Sequence, residues 1–132
     1  MSALETVRAW MRAFQRRDAE SLLALTDADL EYNRWVGVER GHDAVRALLH
    51  RQTYGVGLHP QPLRSFCRDD TVVLDVRVIG RYVDSGEEAG VHAGAAVFVV
   101  RGGRVARFTP LPDLARALDA AGLSERDEVP LR

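Results

Sequence analysis

The feature that most constrains the fold is a long β-hairpin in the second half of the chain, predicted for residues 71–82 and 91–101. In its first strand every even position is apolar, whereas the odd positions mix apolar and charged side chains. This period of two is typical of a strand whose two faces have different surroundings. The dipeptide Gly102-Gly103 then predicts a tight turn into a third strand at residues 104–109, because glycine tolerates positive φ.

Helical patterns precede this antiparallel meander. Ser2 and Glu5 form a capping box for the first helix, Asp18 can cap the second, and Gly122 is placed to end the last one. The predicted helices cover residues 3–16, 18–25, 42–52 and 113–121. Helices first and a meander afterwards indicate an α+β fold and not a chain of parallel βαβ units.

The length of 132 residues is enough for one domain, predicted at residues 1–123, with residues 124–132 as a frayed C-terminal tail. Residues 30–36 predict a further strand. Residues 54–62 are rich in glycine and proline and predict a loop that flanks a pocket mouth. Gly94, inside the second strand of the hairpin, predicts a bulge or a bend.

Composition excludes several classes of protein. The net charge is −1, and 46% of the residues are apolar, so we expect no nucleic-acid partner. Cys67 is the single cysteine, which excludes an intramolecular disulfide. The four histidines lack metal-ligand spacing, and we expect neither a metal nor a cofactor. With no apolar run long enough for a signal or a membrane span, we expect a cytoplasmic protein without membrane contacts.

Three segments together resemble the SnoaL-like branch of the NTF2-like superfamily: residues 13–25, residues 41–49, and residues 102–108 leading into 114–123. The resemblance implies a cone, in which N-terminal helices pack on a strongly bent, mainly antiparallel sheet that encloses an apolar pocket. It also implies a homodimer. Because this fold hosts isomerases, cyclases, hydrolases, dehydratases and non-catalytic modules, it names no single reaction.

Active sites known in the superfamily are mostly replaced here. Positions that correspond to the ketosteroid isomerase base and oxyanion-binding groups are Asn33, Trp10 and Ala96. Asn33 and Arg77 match two positions of limonene-epoxide hydrolases, but both carboxylate positions of that family are replaced. A two-residue shift of the alignment would bring Asp75 to one of them.

The resemblance places the odd side of the first hairpin strand and the even side of the second inside the cone. The candidate catalytic group is therefore Asp75, Arg77 and His92, with Arg77 polarising an oxygen and Asp75 or His92 moving a proton. Two alternatives stay open. Asp75 and Arg77 could form an ion pair or face water, and His92 could be a surface histidine.

The same register gives the candidate binding residues and a dimer surface. Asn33 would hydrogen-bond the ligand, large rings would form the core or pocket wall, and Ala96 would leave room for the ligand. The rings are Trp10, Phe14, Trp35 and Phe108. The uniformly apolar row would lie outside and bind a second copy of the chain through the outer sheet face. That row consists of Val72, Leu74, Val76 and Val78.

Two functions follow. The favoured one is a cofactor-independent enzyme that uses acid–base catalysis on a small hydrophobic molecule, as an isomerase, cyclase, hydrolase or dehydratase. The alternative is a non-catalytic module of the same fold that binds a ligand or only dimerises. A pocket filled by aromatic side chains would favour the alternative.

Overall fold

The computed structural model describes residues 1–131, and within them it contains four α-helices, a short 3-10 helix and eight strands. The helices are α1 (Ala3–Gln15), α2 (Ala19–Ala24), α3 (Gly41–Leu49) and α4 (Leu114–Ala121), and the 3-10 helix covers Glu125–Asp127. The strands are β1 (Thr26–Arg34), β2 (Gly37–Arg40), β3 (Gln52–Thr53), β4 (Val56–Arg68), β5 (Thr71–Tyr82), β6 (Glu88–Arg101), β7 (Arg104–Leu111) and β8 (Glu128–Val129). This architecture confirms the predicted α+β cone fold.

Local sequence signals account for where the elements begin and end. The Ser2 hydroxyl accepts from the backbone N–H of Glu5, whose carboxylate accepts from Ser2 in return, and this capping box starts α1. The side chain of Asp18 caps α2 in a similar way. Gly122 ends α4 in the left-handed conformation, with a φ of 69°. Gly102 and Gly103 both have positive φ at the tip of the β6–β7 hairpin, as predicted.

One large sheet has the strand order β2-β1-β7-β6-β5-β4-β3, and β8 pairs with β4. Neighbouring strands are antiparallel except β1 and β7, which are parallel. The hairpin of β5 and β6 therefore lies in the middle of the sheet. Its register pairs Val76 with Gly94 and Val78 with His92, so even positions of β5 share a face with even positions of β6.

This register corrects the predicted faces of the hairpin. The even row of β5 lies inside the cone and packs on the core formed with α1, α2 and α3, because uniformly apolar side chains are stabilised by leaving water. The odd row lies on the outer face. The prediction combined the odd side of β5 with the even side of β6, which an antiparallel pair in this register cannot place on one face.

The outer face carries a second, smaller core. Helix α4 covers it, and its residues Ala117 and Leu118 pack against Phe66, Val73 and Val97. The apolar row that was predicted to bind a second copy is thus buried within one chain. The predicted homodimer was based on this row, so the homodimer stays a prediction for which no surface is assigned.

The glycine- and proline-rich segment is a strand and not a loop. Strand β4 pairs with β5 from Val56 to Arg68, with a bulge at Leu63. The other side of β4 is an edge between β3 and β8. There the Leu58 carbonyl accepts a hydrogen bond from the Arg17 side chain, and the Pro60 carbonyl accepts one from Gln15. Pro60 and Pro62 lack a backbone N–H, so an edge strand tolerates them there. Gly94 pairs in continuous register, and the predicted bulge at that position is wrong.

The expectation of a frayed tail is wrong for residues 124–131. Strand β8 pairs with β4, and Arg64 forms ion pairs with Glu125 at 2.6 Å and with Glu128 at 2.9 Å. Arg68 binds Asp127 at 2.7 Å. This segment therefore closes one end of the sheet, while Arg132 lies outside the described residues. None of the helices in the described part of the chain has the length and hydropathy to cross a membrane.

Candidate functional site

A cavity of about 240 Å³ lies between the inner face of the sheet and helices α1 and α3. Its walls are almost wholly apolar, and its ionisable side chains are those of Tyr32 and His92. The remaining lining residues are Trp10, Met11, Phe14, Leu48, Leu58, Pro60, Leu74, Val76, Val78, Ala95, Ala96, Phe98, Phe108, Pro110 and Leu111. A concave apolar site with few polar groups is typical of a small-molecule pocket.

Aromatic rings form the floor of the cavity. Trp10 lies at the centre of the cluster, with ring centroids 5.8 Å from Phe14, 5.6 Å from Phe98 and 5.3 Å from Phe108. Its indole N–H donates to the Thr26 hydroxyl at 3.0 Å, and that hydroxyl donates to the Leu22 carbonyl at 2.7 Å. Because the indole N–H is satisfied within the core, Trp10 offers the ligand only its apolar surface.

Tyr32 is a polar group of the wall. Its ring stacks on Phe108 at 5.3 Å, and its hydroxyl accepts a long hydrogen bond of 3.5 Å from Arg51. Burial raises the pKa of Tyr32, so the phenol keeps its proton at neutral pH. Arg51 in turn binds the Glu39 carboxylate at 3.3 Å, and Arg34 binds the same carboxylate at 2.6 Å. Tyr32 is therefore a neutral hydrogen-bond donor supported by a charged network.

His92 lies at the mouth of the cavity, on β6 opposite Val78. His92 is exposed, and its imidazole forms no side-chain hydrogen bond among residues 1–131. In the same part of the chain, no aspartate or glutamate lines the cavity. An imidazole in this position is open both to water and to a molecule in the cavity.

The structure brings five of the predicted site residues together and leaves four outside. Trp10, Phe14, Ala96, Phe108 and His92 all line the cavity. The placement of the other four as pocket residues is wrong. Those residues are Asn33, Trp35, Asp75 and Arg77.

Each of the residues outside the cavity has another role on the outer face or in a turn. The Asn33 amide donates to the Thr109 hydroxyl at 3.0 Å, and Arg77 donates to the Gln61 side chain at 2.9 Å. Trp35 lies in the turn between β1 and β2 and is 98% exposed. Asp75 lies opposite Arg64 in β4 on the outer face and forms no ion pair with Arg77 in the described part of the chain.

A substitution of Asp75 tests whether the outer face is independent of the cavity. Burial raises the pKa of its carboxyl, although Arg64 acts in the opposite direction. A carboxyl whose folded pKa is raised stabilises the protein only at low pH, and that contribution is lost as the pH rises through the pKa. We therefore expect Asp75→Asn to keep or slightly increase the melting temperature at pH 7, and to leave ligand binding in the cavity unchanged. Thermal unfolding and a binding titration check both outcomes, and a loss of binding would contradict this placement.

Tyr32 and Leu58 are pocket residues that the sequence analysis missed. The resemblance directed attention to Asn33, and in a strand a difference of one residue changes the face of the sheet. Leu58 lay in the segment interpreted as a loop. The signal for Tyr32 was its spacing of two from the buried Leu30 on β1, which places both side chains on one face.

The family follows from comparison with known proteins. The model of the SnoaL-like domain matches residues 7–108, which is most of the chain. The protein belongs to the SnoaL-like family. Among curated proteins, none matches it at a significant level.

Solved structures with the same fold are numerous. A proposed polyketide cyclase of Xanthomonas campestris pv. campestris is 26% identical, with a TM-score of 0.71, 86% of this chain covered and 92% of the other. An epoxide hydrolase of M. tuberculosis, described as similar to limonene-epoxide hydrolases, is 21% identical, with a TM-score of 0.70 and coverages of 90% and 88%. An NTF2-like protein of Burkholderia pseudomallei is 22% identical, with a TM-score of 0.71 and coverages of 92% and 98%. This SnoaL-like protein therefore shares its fold with these three solved structures.

Proposed function

We propose that this SnoaL-like protein is a cofactor-independent enzyme that moves a proton on a small, mostly apolar ketone or related carbonyl compound held in the cone. The observation that carries the proposal is the apolar cavity whose ionisable side chains are His92 at the mouth and Tyr32 in the wall. The reaction class is proton abstraction next to a carbonyl, which is the first step of isomerisations and of carbon–carbon ring closures. We also propose that the substrate is small and hydrophobic and that the protein is cytoplasmic.

His92 and Tyr32 have different roles in the proposed reaction. The imidazole of His92 takes the proton from the carbon next to the carbonyl, and the electron pair of that C–H bond moves to form an enolate. The protonated Tyr32 hydroxyl donates a hydrogen bond to the developing oxyanion, and the dry surroundings strengthen that bond. His92 then returns the proton to another carbon of the product, so the reaction has no net redox change.

The structure also supplies an argument for a second function, a ligand-binding module without chemistry. Within residues 1–131 no carboxylate forms an ion pair with His92, and the predicted partners Asp75 and Arg77 lie on the outer face. An apolar cavity alone binds apolar molecules without changing them. The two functions agree on the ligand class and differ in whether bound ligand exchanges protons.

The exchange of α-protons of 2-tetralone in D₂O, followed by proton NMR, tests the proposal. We expect the unmodified protein to accelerate the exchange above buffer and His92→Gln to lose about 100-fold of that acceleration. Tyr32→Phe should lose a similar factor because it removes the hydrogen bond to the oxyanion. His50→Gln changes an exposed histidine outside the cavity and should exchange protons at the unmodified rate.

Binding of the same ketone is measured in parallel by quenching of Trp10 fluorescence, in a Trp35→Phe background that leaves one tryptophan. His92→Gln should bind 2-tetralone with unchanged affinity, since the imidazole acts on the proton and not on the apolar body. Saturable binding with no exchange above buffer would refute the enzyme and support the binding module. Equal exchange by His92→Gln and the unmodified protein would refute the role of His92.

A further inference from the structure

A second concave site lies at the end of the molecule where the C-terminal ends of α1 and α3 approach β4 and β5. Its volume is about 430 Å³. We call it the basic groove. Its lining residues are Arg17, Leu49, His50, Arg51, Gln52, Gly57, His59, Arg81, Tyr82, Val83 and Gly86.

The charge of the basic groove is one-sided. Arginines and histidines line it, whereas no aspartate or glutamate of the described residues does. Arg17 and Arg81 form no ion pair with any carboxylate in residues 1–131. Arg51 is the arginine of this set that is paired, through Glu39. The groove therefore holds uncompensated positive charge.

Neutral backbone carbonyls hold the unpaired guanidinium groups in place. Arg17 donates to the carbonyls of Phe14 and Leu58, each at 3.0 Å, and Arg81 donates to the carbonyl of Gly86 at 3.2 Å. These bonds fix the positions of the cations without neutralising them. A preorganised pair of guanidinium groups is well suited to a planar or tetrahedral oxyanion.

Helix ends account for only part of this cluster. Arg17 and Arg51 follow α1 and α3, where cations interact favourably with the helix dipole. His59 and Arg81 come from β4 and β5, which have no such dipole to offset. Burial lowers the pKa of His59, and the positive charges of Arg17 and Arg81 lower it further. The imidazole thus lies in an electropositive environment formed by separate elements.

We propose that the basic groove binds an oxyanion, the phosphate or carboxylate group of a small molecule, between Arg17, Arg81 and His59. The groove and the apolar cavity share no lining residue, although Arg51 of the groove donates to the Tyr32 hydroxyl. A bound anion compensates the two arginines and favours the protonated form of His59. Anion affinity should therefore increase as the pH falls through the pKa that His59 has in the free protein.

Inorganic phosphate is the first probe, and His59 reports on it. We expect the NMR-determined pKa of His59 to lie below 6.5 in chloride and to increase in a saturable way when phosphate replaces chloride at constant ionic strength. An acetate titration under the same conditions distinguishes the two ligand groups. A response to phosphate alone assigns a phosphate site, and a response to acetate as well assigns a general oxyanion site.

Two variants test the geometry. Arg81→Gln removes an exposed guanidinium and should weaken phosphate binding about tenfold, whereas Arg101→Gln removes an exposed arginine elsewhere and should leave it unchanged. His59→Gln, followed through the backbone amide signals of Gly57 and Gly86 in the groove, should abolish the increase in affinity at low pH. No saturable response to either anion would overturn the proposal, as would equal losses in Arg81→Gln and Arg101→Gln. We expect these substitutions to leave proton exchange on 2-tetralone unchanged. The anion-site proposal can therefore be refuted without refuting the proposed enzymatic activity.

Discussion

Replacing Trp10 by alanine should lower the free energy of unfolding by about 3–5 kcal/mol, the usual cost of removing a large buried ring. Trp10 is 1% exposed, packs against Phe14, Phe98 and Phe108, and donates its indole N–H to Thr26. Its removal deletes those contacts and merges its volume with the ligand cavity. Because the total free energy of unfolding of a domain of this size is about 5–15 kcal/mol, the variant should be close to unfolding at ambient temperature.

Trp35→Ala is the matched control, since Trp35 is 98% exposed. We expect its free energy of unfolding to stay within about 0.5 kcal/mol of the unmodified protein. Urea denaturation of both variants measures the difference. Fluorescence gives an independent readout, because Trp35→Ala leaves the buried indole and should shift the mean emission to shorter wavelength. Equal destabilisation by the two substitutions would show that Trp10 is not the centre of the core.

The two tryptophans show what sequence could predict about the site. Both were predicted as core or pocket wall, because a large apolar ring is stabilised by burial. Trp10 had a second signal, a helical spacing with Val7 and Phe14 that forms one apolar stripe. Trp35 had only its residue type and its place at the end of a predicted strand. A periodic position therefore predicts burial better than an apolar side chain alone.

The helices and the hairpin followed from local signals. Capping residues, glycine turns and a period of two depend on neighbours within a few positions, and they placed α1, α4 and the β5–β6 hairpin correctly. The strand β4 was missed in part because Pro60 and Pro62 are unfavourable inside a sheet. They are tolerated because that side of the strand is an edge, and an edge is a property of the whole sheet.

The assignment of faces was the main error, and the register that corrects it follows a β-bulge between Gly80 and Arg81. From Thr71 to Gly80 the residues of β5 pair with residues of equal parity on β6, as Leu74 does with Ala96, whereas Arg81 pairs with Glu88. The uniformly apolar row of β5 and the small residues of β6 therefore face the same cavity. The resemblance to known enzymes outweighed this pattern, and Asp75 and Arg77 were placed inside as a result. His92 lines the cavity because the even side of β6, which the same resemblance put inside the cone, does face it.

Val76→Asp tests the assignment of faces and should have a large effect. Val76 is buried on the inner face, where it contacts the core and lines the cavity. An aspartate there would be a buried charge without a partner, and we expect a loss of about 3–5 kcal/mol at pH 7. Its pKa in the folded state would be raised above the unfolded value, so the folded state gains stability from it only at low pH and loses that contribution as the pH rises. The variant should consequently be less destabilised at pH 4 than at pH 7.

Val91→Asp introduces the same carboxylate on the opposite face of the same hairpin. Val91 is partly exposed and pairs with Ile79 on the outer face, so its replacement should cost less than about 1 kcal/mol at both pH values. Denaturation curves at pH 4 and pH 7 measure the stability of both variants, and sedimentation measures their oligomeric state beside that of the unmodified chain. If Val76→Asp stays folded and only dissociates a dimer, the apolar row is a partner surface and the faces are reversed. Loss of the fold in Val76→Asp, with Val91→Asp intact, places that row in the core because only there does a charge lack water.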